Sequence, residues 1–398
     1  MPIHSSFRVV QDLSALDTPA FMIDEGQLKQ SAAFVGQVVS RAEARVVYAL
    51  KAFANGRMLK ILAQHVDGFA ASSLYEARIA RDLIQQGGSV HITTPGFRAD
   101  EIETIARTCD FIAFNSTGQW ERFGRMASRF SQCGLRVNPQ LSLVRDDRYN
   151  PSRRSSKLGV PLHDLVAIAR EQRERLTGLS GLHFHTNCDS SDFNGLLATV
   201  QRLESSVPDL LASMEWINIG GGYLFDEAGD GDLGSFYEAV GLLRQNFGLR
   251  VFIEPGAAIV RKAGFLVSSV LDIFESEDKK IAVLDTTVNH MPEVFEYQCA
   301  PDVFGDCENG DFEYILAGCS CLAGDVFGEY SFREPLEIGS RVVFTNVGAY
   351  TLVKAHMFNG INLPTIYLRR EDGALELIKR FTYEDFASRC GVDTRVLV

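Results

Sequence analysis

From about Arg45 to Gly256, short apolar runs alternate with stretches of helical periodicity. The runs Val46–Leu50, Gly68–Ala71, Val90–Thr93, Phe111–Phe114, Leu135–Asn138, Leu182–His185, Trp216–Ile219 and Val251–Glu254 have strand length. Between the first two, Met58, Leu59, Leu62 and Ala63 recur at helical spacing. Eight strand–helix units in succession predict an α/β fold of the (β/α)8, TIM-like barrel type. A doubly wound sheet also alternates, but its phosphate-binding glycine turn follows its first strand. Here the first run ends at Lys51, and the triple glycine Gly220-Gly221-Gly222 follows the seventh.

After Gly264 the pattern changes. Phe265–Phe274, Lys280–Asp285, Tyr314–Ala317, Arg341–Thr345, Pro364–Arg369 and Leu375–Phe381 read as strands separated by turn residues, with few helical stretches. This predicts a barrel over residues 18–263 and a C-terminal all-β domain over 264–398, which the N-terminal residues 1–17 join as a returning strand. Pro151-Ser152-Arg153-Arg154-Ser155-Ser156-Lys157 reads as a mobile loop within the barrel.

Composition narrows the class. The chain has 398 residues, 46% hydrophobic and 23% charged, and no apolar run long enough to span a membrane. A net charge of −12 disfavours nucleic acid and anionic membranes as partners. The start, Met1-Pro2-Ile3-His4-Ser5, lacks the basic-then-apolar layout of a secretory signal. Eight cysteines without framework spacing read as reduced thiols, and the expected location is cytoplasmic.

The active site of such a barrel lies at the carboxyl ends of its strands, and four notable elements fall there. Lys51 ends the first run: an amine in that place suits Schiff-base chemistry if it is deprotonated, or its stem simply snorkels to water. Gly220–Gly222 allows backbone amides close to an anion, or makes a tight turn. Glu254, before Pro255-Gly256, is a solvated strand-end carboxylate or one that holds a pyridine nitrogen protonated. His183 and His185 alternate along a strand, so one faces the mouth and the other is a hydrogen-bonded structural histidine. His-x-His is also a metal-ligand pattern, but His290 and His356 lie beyond the barrel, and no metal is expected. Past the barrel, Cys319-Ser320-Cys321 has poor zinc spacing. Tyr350, in Gly348-Ala349-Tyr350-Thr351, offers a strand-end hydroxyl or ordinary packing.

Together, Tyr48-Ala49-Leu50-Lys51-Ala52, His183-Phe184-His185, the glycine triplet, Glu254-Pro255-Gly256, the Cys321 loop and Gly348-Ala349-Tyr350-Thr351 resemble the fold-type III pyridoxal-phosphate decarboxylases. That superfamily includes alanine racemase and ornithine decarboxylase. Within it, His185-Thr186-Asn187-Cys188, Glu254-Pro255-Gly256-Ala257-Ala258-Ile259 and Asn289-His290-Met291-Pro292 are most similar to the carboxynorspermidine (carboxyspermidine) decarboxylases of polyamine synthesis. Ala257 stands where diaminopimelate and ornithine decarboxylases carry an arginine, and Ala70 where the ornithine enzymes have an aspartate.

The resemblance implies a pyridoxal 5'-phosphate enzyme that removes carbon dioxide from carboxynorspermidine or carboxyspermidine. Diaminopimelate, or another basic amino acid, is the alternative substrate. Lys51 would carry the cofactor, His185 would stack on its ring, and Glu254 would pair with the ring nitrogen. Gly220, Gly221, Gly222, Gly256 and Tyr350 would hold its phosphate. Cys321, from the neighbouring subunit of a homodimer, would protonate the carbanion. Asp325 and His290 would contact the cationic substrate. A carboxylate at Glu254 opposes a racemase, and a silent homologue would have lost Lys51 or Cys321.

Overall fold

A computed structural model describes residues 13, 15–141, 144, 146 and 148–392. The chain divides into two compact units, Lys29–Ile259, and Met1–Leu28 with Val260–Val398. The first regular strand, β1 (Ala20–Asp24), belongs to the latter unit. In the former, β2 (Arg45–Ala49), β3 (Gly68–Ala71), β4 (Ser89–Thr93), β5 (Phe111–Phe114) and β6 (Gln132–Asn138) run in sequence order. The two-residue β7 (Val160–Pro161) is appended to β6, and β8 (Gly181–His183), β9 (Trp216–Asn218) and β10 (Arg250–Ile253) complete the set. All neighbours are parallel, and the β2–β10 and β5–β6 pairings are the two joins that make the eight long strands a closed barrel. All eight expected barrel strands are present, within a few residues at each end.

The strands are apolar on both faces because both are covered, as parallel sheets require; β3 and β5 are buried at every residue. Inside the barrel Val47, Ala70, Phe111, Trp216 and Phe252 form one cluster. Two glycines on neighbouring strands make room for the indole of Trp216. A Cβ at Gly181 would lie 2.1 Å from that ring, and one at Gly134 2.6 Å. Within the Pro151–Lys157 segment, expected to be mobile, two backbone carbonyls accept hydrogen bonds: Asn138 Nδ2 donates to Arg153 O at 3.2 Å and Asn115 Nδ2 to Lys157 O at 2.9 Å.

The second unit is a mixed sheet. It adds β11 (Gly264–Ser276), β12 (Lys279–Leu284), β13 (Phe312–Ala317), β14 (Val326–Phe332), β15 (Arg341–Phe344), β16 (Thr365–Arg369) and β17 (Leu375–Lys379). The strand order is β14-β13-β12-β11-β1-β16-β17, with β15 on β11. Short helices at Pro292–Tyr297 and Tyr383–Arg389 accompany the sheet. Leu13, Leu16, Ala20, Met22, Phe265 and Val267 share its core. Residues 1–12 and 14 lie outside the described residues. The expected barrel start at residue 18 needs correction. β1 is antiparallel to β11 and parallel to β16, which places the run Ala20–Asp24 in this sheet.

Candidate active site

Four adjoining strands, in the order β8-β9-β10-β2, carry the expected groups at their carboxyl ends. His185 lies just past β8, Gly220–Gly222 past β9, and Glu254 past β10. Lys51 sits on the 3-10 turn Leu50–Ala52 that follows β2, rather than on the strand itself. The turn is held over the rim by Ala49 N–H, which donates to Pro255 O at 3.1 Å. Gly256 permits this close approach, since a Cβ there would meet Ala52 Cβ at 2.8 Å.

Lys51 opens to solvent at the rim. The protein packed around its ammonium withholds hydration and lowers its pKa, with Glu254 opposing the shift and Arg136 adding to it. Glu254 is 7% exposed. Burial pushes its carboxyl up, but His183, Lys51 and His185 more than reverse this and hold it below the usual carboxylate range. Its Oε1 accepts from Asn218 Nδ2 at 2.8 Å and faces His183 Nε2 at 3.5 Å. Its Oε2 accepts no hydrogen bond among the described residues.

The glycine triplet works differently from a simple anion cradle. Gly220 N–H donates to Asn218 Oδ1 and Gly221 N–H to His185 Nδ1, both at 2.9 Å. Two of the three expected phosphate amides are therefore engaged within the protein. Only the Gly222 N–H has no acceptor among the described residues. The lack of side chains answers to packing: a Cβ on Gly221 would lie 2.0 Å from Glu254 O, and one on Gly222 2.1 Å from Asn187 O. Gly220 and Gly222 also take φ of +69° and +90°. Because Nδ1 of His185 accepts, the neutral ring carries its proton on Nε2. Burial, reinforced by Lys51 and Arg136, lowers the His185 pKa well below the ordinary value.

Three site residues went unread in the sequence. Asn218 links Glu254 to the glycine turn, and its signal was a polar side chain within an apolar run two residues before the triplet. Arg136 is 7% exposed in the middle of β6. Burial pulls its pKa to about 10 against the pull of Glu254, so it stays cationic at neutral pH. Tyr223 accepts from Asn187 Nδ2 at 2.9 Å, and burial pushes its phenol up to about 12. His183 departs from expectation. It is 1% exposed, yet neither ring nitrogen has a hydrogen-bond partner.

The remaining expected residues lie in the second unit. Asp325, expected to contact substrate, is 3% exposed and its carboxylate is occupied. Its Oδ1 accepts from Val288 N at 2.7 Å and its Oδ2 from Ser320 N at 2.9 Å, which folds the loop that carries Cys321. His290 is also buried, with Nδ1 3.0 Å from Thr286 Oγ1, and burial lowers its pKa to about 4 despite Asp325. Asp325 is therefore corrected to a loop-shaping group, because both its carboxylate oxygens are taken by backbone amides, whereas His290 keeps an Nε2 with no hydrogen-bond partner. Cys321 is exposed, its N–H donating to Asn359 Oδ1 at 2.8 Å. Tyr350 is half-buried at φ +67°, at the start of the turn Thr351–Lys354.

The rim thus offers an amine, an ionised carboxylate with one open oxygen, a ring-fixed histidine and an open backbone amide on consecutive strands. That donor set suits a phosphorylated pyridine aldehyde. Residues 26–261 match the family of pyridoxal-dependent decarboxylases through its pyridoxal-binding domain. Fold and site define a pyridoxal-phosphate-dependent carboxy-lyase. The chain is 36% identical over 384 residues to the carboxyaminopropylagmatine decarboxylase of Synechocystis sp., covering 95% of this chain and 97% of that one. It is 34% identical to the carboxynorspermidine/carboxyspermidine decarboxylase of Campylobacter jejuni, covering 94% and 98%. The crystal structure of carboxynorspermidine decarboxylase complexed with norspermidine, also from Campylobacter jejuni, superimposes with a TM-score of 0.84 at 32% identity, over 94% of this chain and all of that one. The chain belongs to the carboxynorspermidine/carboxyspermidine decarboxylase family of pyridoxal-dependent decarboxylases. Among the described residues, no helix is long and apolar enough to cross a membrane.

Proposed function

We propose that this protein decarboxylates carboxynorspermidine or carboxyspermidine, giving norspermidine or spermidine. The observation that carries the reading is the buried Glu254 carboxylate, tied at Oε1 and open at Oε2, on the strand next to Lys51. Similarity over nearly the whole chain to decarboxylases of carboxylated polyamines supports the substrate class. Bound pyridoxal phosphate supplies the sink for the electron pair left when the carbon–carboxylate bond breaks.

The lowered pKa of Lys51 favours the unprotonated Nζ that a carbonyl requires. Glu254 Oε2 would accept a hydrogen bond from the protonated ring nitrogen and hold that proton in place. His185, its ring fixed by Gly221, would pack against the cofactor. Gly222 would donate its amide to the phosphate, with the backbone of Gly256. Cys321, supplied by the second subunit of a homodimer, would deliver a proton from Sγ to carbon.

A second reading is specific enough to carry forward. The 36% identity to a carboxyaminopropylagmatine decarboxylase points to a substrate ending in a guanidinium rather than an amine. Carbon dioxide release from carboxynorspermidine, carboxyspermidine, carboxyaminopropylagmatine and diaminopimelate, measured side by side, separates these. Turnover of diaminopimelate alone would refute both. Borohydride reduction of the holoenzyme should fix the label on Lys51, and a label on any other lysine defeats the site assignment. Mixing Lys51→Ala with Cys321→Ala protein should restore part of the activity, and failure after proven subunit exchange refutes the shared site.

A further inference from the structure

Beneath the rim, among barrel residues, is a small pocket of about 10 Å³. Its polar lining is His91, Thr93, His183, Asn218 and Glu254. A space of this size holds one water, provided polar partners surround it. His183 is 1% exposed and both its ring nitrogens lack a protein partner. Leaving such atoms without any partner costs free energy that folded proteins rarely concede. We propose that the chamber holds one ordered water bound to His183, and that His183 thereby acts as a positioning residue for the Glu254 carboxylate.

The geometry sets the direction of each bond. Asn218 Nδ2 fixes Oε1 of Glu254 from one side at 2.8 Å, and His183 Nε2 approaches the same oxygen at 3.5 Å. At that separation the imidazole edge faces the carboxylate without a hydrogen bond between them. With the proton on Nε2, Nδ1 is an acceptor and needs a donor, which the water supplies. The water's other contacts fall on the remaining polar groups of the chamber. His91 is tied to Ser89 Oγ at 2.9 Å through Nε2 and closes the floor. One hydrogen bond from Asn218 and the water-held imidazole edge beside it confine Oε1 from two sides and resist rotation of the carboxylate. The charged and titratable groups around His183 are Glu254, Arg136, Lys51, His91 and His185. Burial and the cationic neighbours favour a neutral ring, and Glu254 opposes them. The carboxylate, rather than the imidazole, thus holds the charge.

This inference rests on the reading of Glu254 as partner of the cofactor's ring nitrogen, and its test keeps the two apart. In high-resolution crystals of the holoenzyme, a water should lie within about 3.2 Å of a His183 ring nitrogen. His183→Phe should reduce kcat roughly two- to ten-fold, the range of one ordinary hydrogen bond, here the one lost to the water, with KM nearly unchanged. His183→Gln, which restores a donor and an acceptor, should recover most of that loss. Absence of the water in the wild-type crystal overturns the proposal, even where His183→Phe fails to fold. Wild-type kcat in His183→Phe overturns it as well. So does equal impairment of the Phe and Gln variants, which would mark His183 as a mere filler. If instead Glu254→Gln keeps full activity while the water is present, the reading of Glu254 has failed.

Discussion

Replacing Asn218 with leucine, of similar size, tests the architecture of the rim most directly. Asn218 is 2% exposed and makes two bonds in opposite directions, donating to Glu254 Oε1 at 2.8 Å and accepting from Gly220 N–H at 2.9 Å. The first is a bond to a charged group, worth roughly 1.5–3 kcal/mol, and the second an ordinary one worth about 0.5–1.5 kcal/mol. Both partners stay buried when the amide is gone, so neither recovers its bond from water. The combined loss is then about 2–4.5 kcal/mol. For a unit of this size, roughly 2–4 °C per kcal/mol applies, which gives a fall in melting temperature of roughly 4–18 °C. Calorimetry on the cofactor-free protein measures this without reference to catalysis. Asn218→Asp separates the two bonds: it keeps the acceptor for Gly220 but sets a carboxylate against Glu254, and should be less stable at neutral pH than at acid pH. A melting temperature for Asn218→Leu within 1 °C of wild type, or Asn218→Asp with no such pH dependence, would falsify the bridge between carboxylate and glycine turn.

Further outcomes follow from single contacts. A lysine pKa depressed in the fold adds stability above the unfolded value and loses it as pH falls through the folded one. Lys51 should therefore make the cofactor-free protein relatively more stable near pH 10.5 than below its lowered pKa. Its rate of pyridoxal-phosphate capture should level off at a lower pH than that of a free lysine side chain, and a plateau at the ordinary lysine pKa contradicts the crowding around Nζ. Gly221→Ala forces a Cβ to 2.0 Å from Glu254 O and should cost at least about 1–3 kcal/mol. Gly234→Ala, in an open helical position, should stabilise by about 0.4–1 kcal/mol; equal melting temperatures for the two variants would be inconsistent with this packing. Asp325→Asn turns one acceptor into a donor facing a backbone N–H, at roughly 1–3 kcal/mol, and should speed proteolytic cleavage of the 318–325 loop. Unchanged cleavage would return Asp325 to the pool of ligand-facing carboxylates.

The barrel was legible because parallel strands covered on both faces must be apolar throughout, and short all-apolar runs such as Phe111–Phe114 have no other easy home. Glu254 and Lys51 stood out for the same reason, as charges at the ends of such runs. The barrel boundary was set too early because the run Ala20–Asp24 was not read as a strand, and pattern alone does not say which sheet receives such a run. The β14 strand was passed over because Gly328 interrupts it and a register shift disturbs its pairing with β13. Asp325 was misjudged on different grounds. Whether a carboxylate is free or consumed by backbone amides depends on loop geometry, which residue type does not encode. Asn218 and Arg136 were missed for want of weight given to polar residues inside strands.

The β2–β10 pairing joins the barrel's earliest strand to its last. Lys51 and Glu254 therefore become neighbours only after some two hundred intervening residues have been synthesised and wound into place. A growing chain on the ribosome has its lysine long before it has its carboxylate. Cofactor capture at this rim is accordingly a late event in biogenesis, and retention of the cofactor reports that the ring has closed.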